Sequence, residues 1–235
     1  MRAMILAAGL GKRMGQLTQH IPKPLLTVGN HYLIEYPLIA LKKAGISDVI
    51  INVHYHAEKI KEALGTGERY GMHLFYSEES TLLETGGGIF HVLPFFEKKP
   101  FIVVSSDIIS DYEIAKLPRD PLELAHLVLV SNPPYHLEGD FGLSLHKIDC
   151  TAQPKLTFGN IAVYRTEFFE RCQAGCFRLT NLLFPAIARG VLTGEHYQGL
   201  WYNIGTPEEL ATVNQRARED SNLRPLVSET NTLST

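Results

Sequence analysis

The sequence predicts an α/β protein with a doubly wound, mainly parallel sheet and a mixed second half. Short apolar runs alternate with amphipathic stretches through the first hundred residues, and the first run ends in a glycine-rich turn. Beyond about residue 110 the alternation gives way to clustered strand-like segments. Strands separated by helical patterns imply crossover connections and parallel pairing.

The elements follow in order. Ala3 to Ala8 is an apolar run that reads as a strand buried on both faces. From Tyr32 to Ala44, apolar residues at 33, 34, 37, 38 and 41 form a helical stripe, and Gly45 stops it. Asp48 to Val53 is a second strand, Ala57 to Leu64 a second helix and Met72 to Tyr76 a third strand. Gly88 to Leu93 predicts a helix, with Gly86, Gly87 and Gly88 as a close-approach loop at its entrance. Phe101 to Val104 is a fourth strand, and Ser110 with Glu113 has the spacing of a capping box. Ala125 to Val130, Phe141 to His146 and Leu156 to Tyr164 are sheet segments, and Thr180 to Arg189 is helical. Thr206-Pro207-Glu208-Glu209 starts a helix that runs to about Ala217, with Thr206 as N-cap and Glu209 closing a capping box. The expected organisation is one domain over 1–219, divided at about 110, with 220–235 as a flexible Ser-, Thr- and Asn-rich tail.

Composition bounds the function. The 235 residues are 45% hydrophobic and 20% charged, ordinary for a globular chain with one sizeable core. Lys plus Arg is 22 against 25 Asp plus Glu, so no basic excess points to nucleic acid or an anionic membrane. An anionic ligand must be held by local cations. Cys150, Cys172 and Cys176 are too few for a disulfide scaffold and lack zinc spacing, which suits free thiols in the cytoplasm. No apolar run reaches the roughly 18–20 residues of a membrane span.

Five segments carry chemistry. Leu6-Ala7-Ala8-Gly9-Leu10-Gly11-Lys12-Arg13-Met14 is a strand running into a glycine turn with two cations. Glycines let backbone N–H groups approach phosphate, and a guanidinium binds it bidentately. Arg13 stands where a Walker loop needs Ser or Thr, and Met14 where a dinucleotide fingerprint needs glycine. Pro22-Lys23-Pro24 presents a lysine between two prolines that hold it off any helix. Asp107 follows the strand at 101–104, at a carboxyl end where ligands of open α/β sheets bind, and suits Mg²⁺. Leu83-Glu84-Thr85-Gly86-Gly87-Gly88 and Trp201-Tyr202-Asn203-Ile204-Gly205-Thr206 complete the set. Each segment alone also has an ordinary structural reading, as a tight turn, a solvated lysine, a cap or a hinge. The ten histidines show no zincin spacing and read as surface or core residues.

In this order the five segments resemble the sugar-1-phosphate nucleotidyltransferases, over about positions 1 to 217. The resemblance implies a Rossmann-like nucleotide-binding half and a mixed, sugar-binding second half. It implies transfer of a nucleotidyl group from a nucleoside triphosphate to a sugar 1-phosphate, with Mg²⁺, in a monomer or small homo-oligomer. Arg13 and Lys23 would be catalytic. Ala8, Gly9, Gly11, Lys12, Glu84, Gly87 and Gly88 would bind the nucleotide, and Gly139, Asp140, Thr157 and Asn160 the sugar. Asp107 and Asn203 would hold the metal. Stretches such as Leu83 to Phe90, Gly139 to Phe141 and Gly194 to Tyr197 resemble members that join UTP to N-acetylmuramic acid 1-phosphate. Guanylyltransferases acting on mannose 1-phosphate share the general signature. One departure stands out: Asn203 occupies the family's second metal aspartate. An amide oxygen ligates Mg²⁺ without charge, so weaker metal binding and a catalytically inactive binding module both stay open.

Overall fold

A computed structural model describes residues 1–219, so the segment 220–235 and its expected tail lie outside the described residues. Strand β1 (Arg2–Leu6) is followed by a short hairpin, β2 (Thr27–Val28) and β3 (His31–Tyr32). Helix α1 (Glu35–Lys43), β4 (Asp48–Val53), α2 (Ala57–Leu64), β5 (His73–Glu78), α3 (Glu84–His91) and β6 (Phe101–Ser105) complete the alternating half. Then come β7 (Ile108–Ser110), β8 (Ala125–Val130), β9 (Gly142–Ser144), β10 (Lys147–Asp149), β11 (Thr157–Tyr164), α4 (Thr180–Ala188), β12 (Leu192–Tyr197), β13 (Trp201–Asn203) and α5 (Pro207–Glu219).

Nine of these strands form one sheet in the order β5-β4-β1-β6-β11-β8-β12-β10-β9. The first four are parallel, in the 3-2-1-4 order of a Rossmann half. β11 runs antiparallel between β6 and β8, β12 is parallel to β8, and β10 and β9 close the edge antiparallel. The sheet therefore passes without a break from one half of the chain to the other.

Alternation along the strands supplies two cores. Ala3, Ile5, Ile102, Val104, Ile161 and Val163 pack on one face. Met4, Phe101, Val103, Ala162 and Tyr164 pack on the other. Covering both faces is what makes β1 and β6 continuous apolar runs rather than alternating ones. A third cluster, with Met14, Leu26, Val28, Leu33, Tyr36, Ile109, Ile204 and Val213, lies beneath the glycine turn and ties it to α1, β7, β13 and α5.

Three sequence expectations are corrected. The first helix starts at Glu35, because Tyr32 pairs with Thr27 in the hairpin. The third helix starts at Glu84, so Gly86–Gly88 lie inside it. Tertiary packing holds glycines in a helix that propensity disfavours: the Leu83 N–H donates to Glu79 Oε2 at 2.9 Å, and Gly87 N–H donates to Phe177 O at 3.1 Å. No capping box forms at Ser110, which ends β7. Its hydroxyl donates to Leu200 O at 2.7 Å and accepts from Tyr112 N–H at 3.1 Å, while Glu113 pairs with Lys116. The box at α5 forms as expected, with Glu209 N–H donating to Thr206 Oγ1 at 3.3 Å and Thr206 N–H to Glu209 Oε2 at 2.9 Å.

Candidate active site

The chain leaves β1 toward β4 on one side and returns through β6 on the other. The crevice at this reversal is where an open α/β sheet binds ligands. A cleft of about 510 Å³ opens there, lined by Ala8 to Arg13, Lys23, Glu84, Thr85, Asp107 and Gly205, among others.

The glycine turn is built for close approach. A side chain at Gly9 would meet no protein atom within 4 Å, so that space is open to a ligand. Gly11 is left-handed (φ 63°), where β-carbons are disfavoured, and packs against Thr18 and Lys23. The turn is fixed by Thr18 Oγ1, which donates to Gly11 O at 3.1 Å. Lys12 and Arg13 open a 3₁₀ segment, Lys12–Thr18, whose Met14 anchors in the third core. The Arg13 guanidinium lies over Gly205, with Nη2 3.0 Å from where a β-carbon would stand.

Lys23 opens one 3₁₀ turn, Lys23–Leu25, rather than the irregular loop its prolines suggest. Pro24 fits there because Leu25 and Leu26, not Pro24, supply the donors, to Pro22 O and Lys23 O at 2.9 and 3.0 Å. Lys23 Nζ forms an ion pair with Asp107 Oδ2. Their side chains are 13% and 22% exposed, so the pair is poorly hydrated yet reachable from the cleft. Asp107 O accepts Ile204 N–H at 3.0 Å, which brings β13 alongside.

Asn203 is placed by the pairing of β13 with β7, opposite Ile108, the residue that follows Asp107. Its Oδ1 is buried and has no hydrogen-bond partner. A buried acceptor without a donor is costly, and an amide oxygen is a chemically suitable cation ligand, although Asn203 lines the neighbouring pocket with Tyr135 and not the cleft that holds Asp107. Among the described residues no three His, Cys, Asp or Glu converge on one point. A site of one carboxylate, one amide oxygen and substrate phosphates nonetheless suits Mg²⁺, which keeps few protein ligands.

The sequence reading separates into three groups. Ala8, Gly9, Gly11, Lys12, Arg13, Lys23, Glu84 and Asp107 share the cleft. Gly87 and Gly88 do not line it. Gly87 packs against Gly175 O, and a β-carbon at Gly88 would meet Glu79 Oε1 at 2.8 Å and Asn52 Nδ2 at 3.0 Å. Their glycines are required by neighbouring protein. Gly139, Asp140, Thr157 and Asn160 also lie off this cleft. Asp140 Oδ2 accepts Phe158 N–H at 2.8 Å, and Thr157 Oγ1 donates to Asn132 Oδ1 at 2.9 Å. Gly139 (φ 62°) packs against Asn132. Asn160 (φ 55°) sits in a bulge of β11, where the register shifts between Phe158 and Ala162. Such bulges re-aim side chains.

Sequence reasoning missed three groups. Asn52 and Glu79 line the cleft, each only 4% exposed. Tyr135, in the loop after β8, lines the neighbouring pocket with Asn203 and Trp201, its hydroxyl 3.5 Å from Asn203 O. Burial, then the carboxylates of Glu209 and Asp107, push the Tyr135 phenol up to about 12, so it remains a neutral donor at physiological pH. Only the strand-end positions of Asn52 and Glu79 hinted at a role, and nothing local marked Tyr135. His54 and His196, left as ordinary residues, contact Glu79 O at 2.7 Å and Ser131 Oγ at 3.2 Å.

A glycine turn with two cations, a rigid lysine paired to a strand-end carboxylate, and a Rossmann-type half describe a nucleotide-handling transferase. The nucleotidyl transferase family profile matches residues 2–151, and the chain belongs to that family. The chain is 38% identical to an N-acetylmuramate alpha-1-phosphate uridylyltransferase of Neisseria meningitidis, over 88% of this chain and 94% of the relative. A relative of the same description from Caulobacter vibrioides is 29% identical, over 92% and 97%. A mannose-1-phosphate guanyltransferase of Neurospora crassa is 28% identical over 90% of this chain, which spans 63% of that relative. Among solved structures, the inositol-1-phosphate CTP transferase from T. maritima superposes with a TM-score of 0.75 at 18% identity, over 100% of this chain and 97% of that one. HddC from Yersinia pseudotuberculosis, complexed with GMP-PN, superposes with a TM-score of 0.77 at 19% identity, over 92% and 98%. No helix among the described residues is long and apolar enough to cross a membrane.

Proposed function

We propose that the protein transfers a uridylyl group from UTP to a sugar 1-phosphate, N-acetylmuramic acid 1-phosphate, releasing pyrophosphate. The observation that carries the reaction type is the Lys23–Asp107 pair facing the glycine turn across the carboxyl ends of β1 and β6. The choice of UTP and the muramic sugar rests on the uridylyltransferase relatives, which match this chain over nearly their whole length.

A sugar-phosphate oxygen attacks the α-phosphorus in line. The new P–O bond forms as the bond to the bridging oxygen of pyrophosphate breaks. The nucleophile is already an anion, so no general base is needed. The work is to bring two anions together and hold them in line. Backbone N–H groups of Gly9 to Gly11 and the Arg13 guanidinium receive the triphosphate and the departing pyrophosphate. Lys23, on a proline-fixed turn, exchanges its contact with Asp107 for the two reacting phosphates. Glu84 and Thr85 close the nucleoside side of the cleft. Asp107 and Asn203 are the residues that would hold Mg²⁺, which supplies charge neutralisation across the phosphates when bound. The sugar would extend toward Tyr135 and the second half, with Gly139, Asp140, Thr157 and Asn160 shaping that region rather than lining the phosphate cleft.

The test is pyrophosphate release by purified protein with Mg²⁺, crossing four nucleoside triphosphates with several sugar 1-phosphates. Release with UTP and N-acetylmuramic acid 1-phosphate is expected. Release with GTP and mannose 1-phosphate would keep the mechanism and replace the substrates. Nucleotide binding without release from any pair would leave a binding module, the consequence of an amide at position 203.

A further inference from the structure

Ala7 N–H donates to Asn52 Oδ1 at 2.9 Å, Asn52 Nδ2 donates to Glu79 Oε1 at 2.7 Å, and Leu83 N–H donates to Glu79 Oε2 at 2.9 Å. These bonds run in one line from the end of β1, through the end of β4, to the first turn of α3. They join the glycine turn to the helix carrying Glu84 and Thr85, the two walls of the nucleoside side of the cleft. Both side chains are 4% exposed, and both line the cleft. Gly88 is confined to glycine by this same pair.

We infer that Asn52 and Glu79 are positioning residues that set the width of the slot receiving the base, by tying the glycine turn to α3. The inference rests on the proposed binding of a nucleoside triphosphate in this cleft. Asn52 is the only member able both to accept from Ala7 and to donate to Glu79. Glu79 must accept on both oxygens, because Asn52 and Leu83 both present N–H groups to it. A change at either end breaks the sequence of donors and acceptors. Glu79→Gln sets an amide N–H against another N–H, whichever way the amide turns. Asn52→Asp sets two carboxylates face to face. Together the two changes restore the line: Ala7 N–H to Asp, Gln N–H to Asp, and Leu83 N–H to the Gln oxygen, with the total charge conserved.

The device acts on the base and not on the phosphates, and binding calorimetry with two probes separates these effects. The probes are UTP and inorganic pyrophosphate, which has no base and needs only the glycine turn and its cations. Each single variant is expected to weaken UTP binding about tenfold or more, the effect of one unmatched buried polar group. Pyrophosphate affinity should stay unchanged. The double variant Asn52→Asp with Glu79→Gln should recover UTP affinity toward that of the unaltered protein. Equal weakening toward both probes, unchanged UTP affinity in the single variants, or no recovery in the double variant would overturn the inference. Absence of UTP binding by the unaltered protein, with pyrophosphate still bound, would instead overturn the proposed nucleotide.

Discussion

Arg13 is held where turnover and stability can be separated. Its guanidinium rests on Gly205, and the atoms a β-carbon would meet there are the far end of a flexible side chain. Gly205→Ala should therefore displace the guanidinium, lowering turnover while leaving the thermal midpoint nearly unchanged. Arg13→Ala should lower turnover about 10²-fold or more, the loss expected for one preorganised charge contact. Near-normal rates for this variant, measured by pyrophosphate release, would remove Arg13 from the mechanism. Asn203 gives a second test. Its oxygen is buried and unpartnered, and its backbone pairs with Ile108, the residue after Asp107, so Asn203→Asp places a charge where a neutral oxygen stands. Activity should then reach half-maximum at a lower Mg²⁺ concentration. A superimposable titration would show that position 203 does not touch the metal. At this scale the sequence was informative where chemistry is concentrated in a few adjacent residues. Arg13, Lys23 and Asp107 announce themselves by charge beside glycine, proline or a strand end. Tyr135 does not, because its place depends on where a loop of the second half folds.

Helix α3 shows how an element can mislead. Three consecutive glycines suggest a close-approach loop, since glycine disfavours a helix by about 1 kcal/mol per residue relative to alanine. Here each glycine removes a clash: Gly86 with Phe177, Gly87 with Gly175 O, and Gly88 with Glu79 and Asn52. The partners lie about 90 residues away for the first two, so local pattern could not reveal them. Gly87→Ala should destabilise the fold by about 1–3 kcal/mol, the usual cost of overpacking, because the obstructing atom is backbone oxygen. Chemical denaturation measures this, and an unchanged midpoint would mean the 175–177 segment yields freely. The opposite case is α5. Thr206, Pro207 and Glu209 form a local signal, and every bond of its capping box is made within four residues.

Across the whole molecule, Glu35 joins parts far apart in sequence. It is buried, accepting from Tyr32 N–H at 2.8 Å, Arg69 Nη2 at 2.8 Å and Tyr70 Oη at 2.6 Å, with His31 Nδ1 at 3.3 Å. Burial pushes its carboxyl up, but the contacts with His31, Tyr70, Tyr32 and Arg69 together hold it below the ordinary carboxylate value. A carboxyl with a lowered folded pKa stabilises the fold above its unfolded value, about 4.3, and that contribution is lost as pH falls through the folded value. Glu35→Gln should cost about 1–3 kcal/mol near pH 7. The difference from the unaltered protein should narrow in acid, as read by urea unfolding at both pH values. A gap that stays constant with pH would exclude this carboxyl from the acid limb.

The sequence by itself determined the α/β class, the strands β4 and β8 to their end residues, and the glycine turn with its two cations. These are encoded by periodicity and by neighbours within a few positions. Only the tertiary structure decided that β11 enters antiparallel between β6 and β8, and that the three glycines belong to a helix. It also decided that Asn52 and Glu79 tie the two walls of the cleft together. Each of those outcomes depends on atoms brought together from distant parts of the chain, and long-range packing leaves no periodic trace in the order of residues.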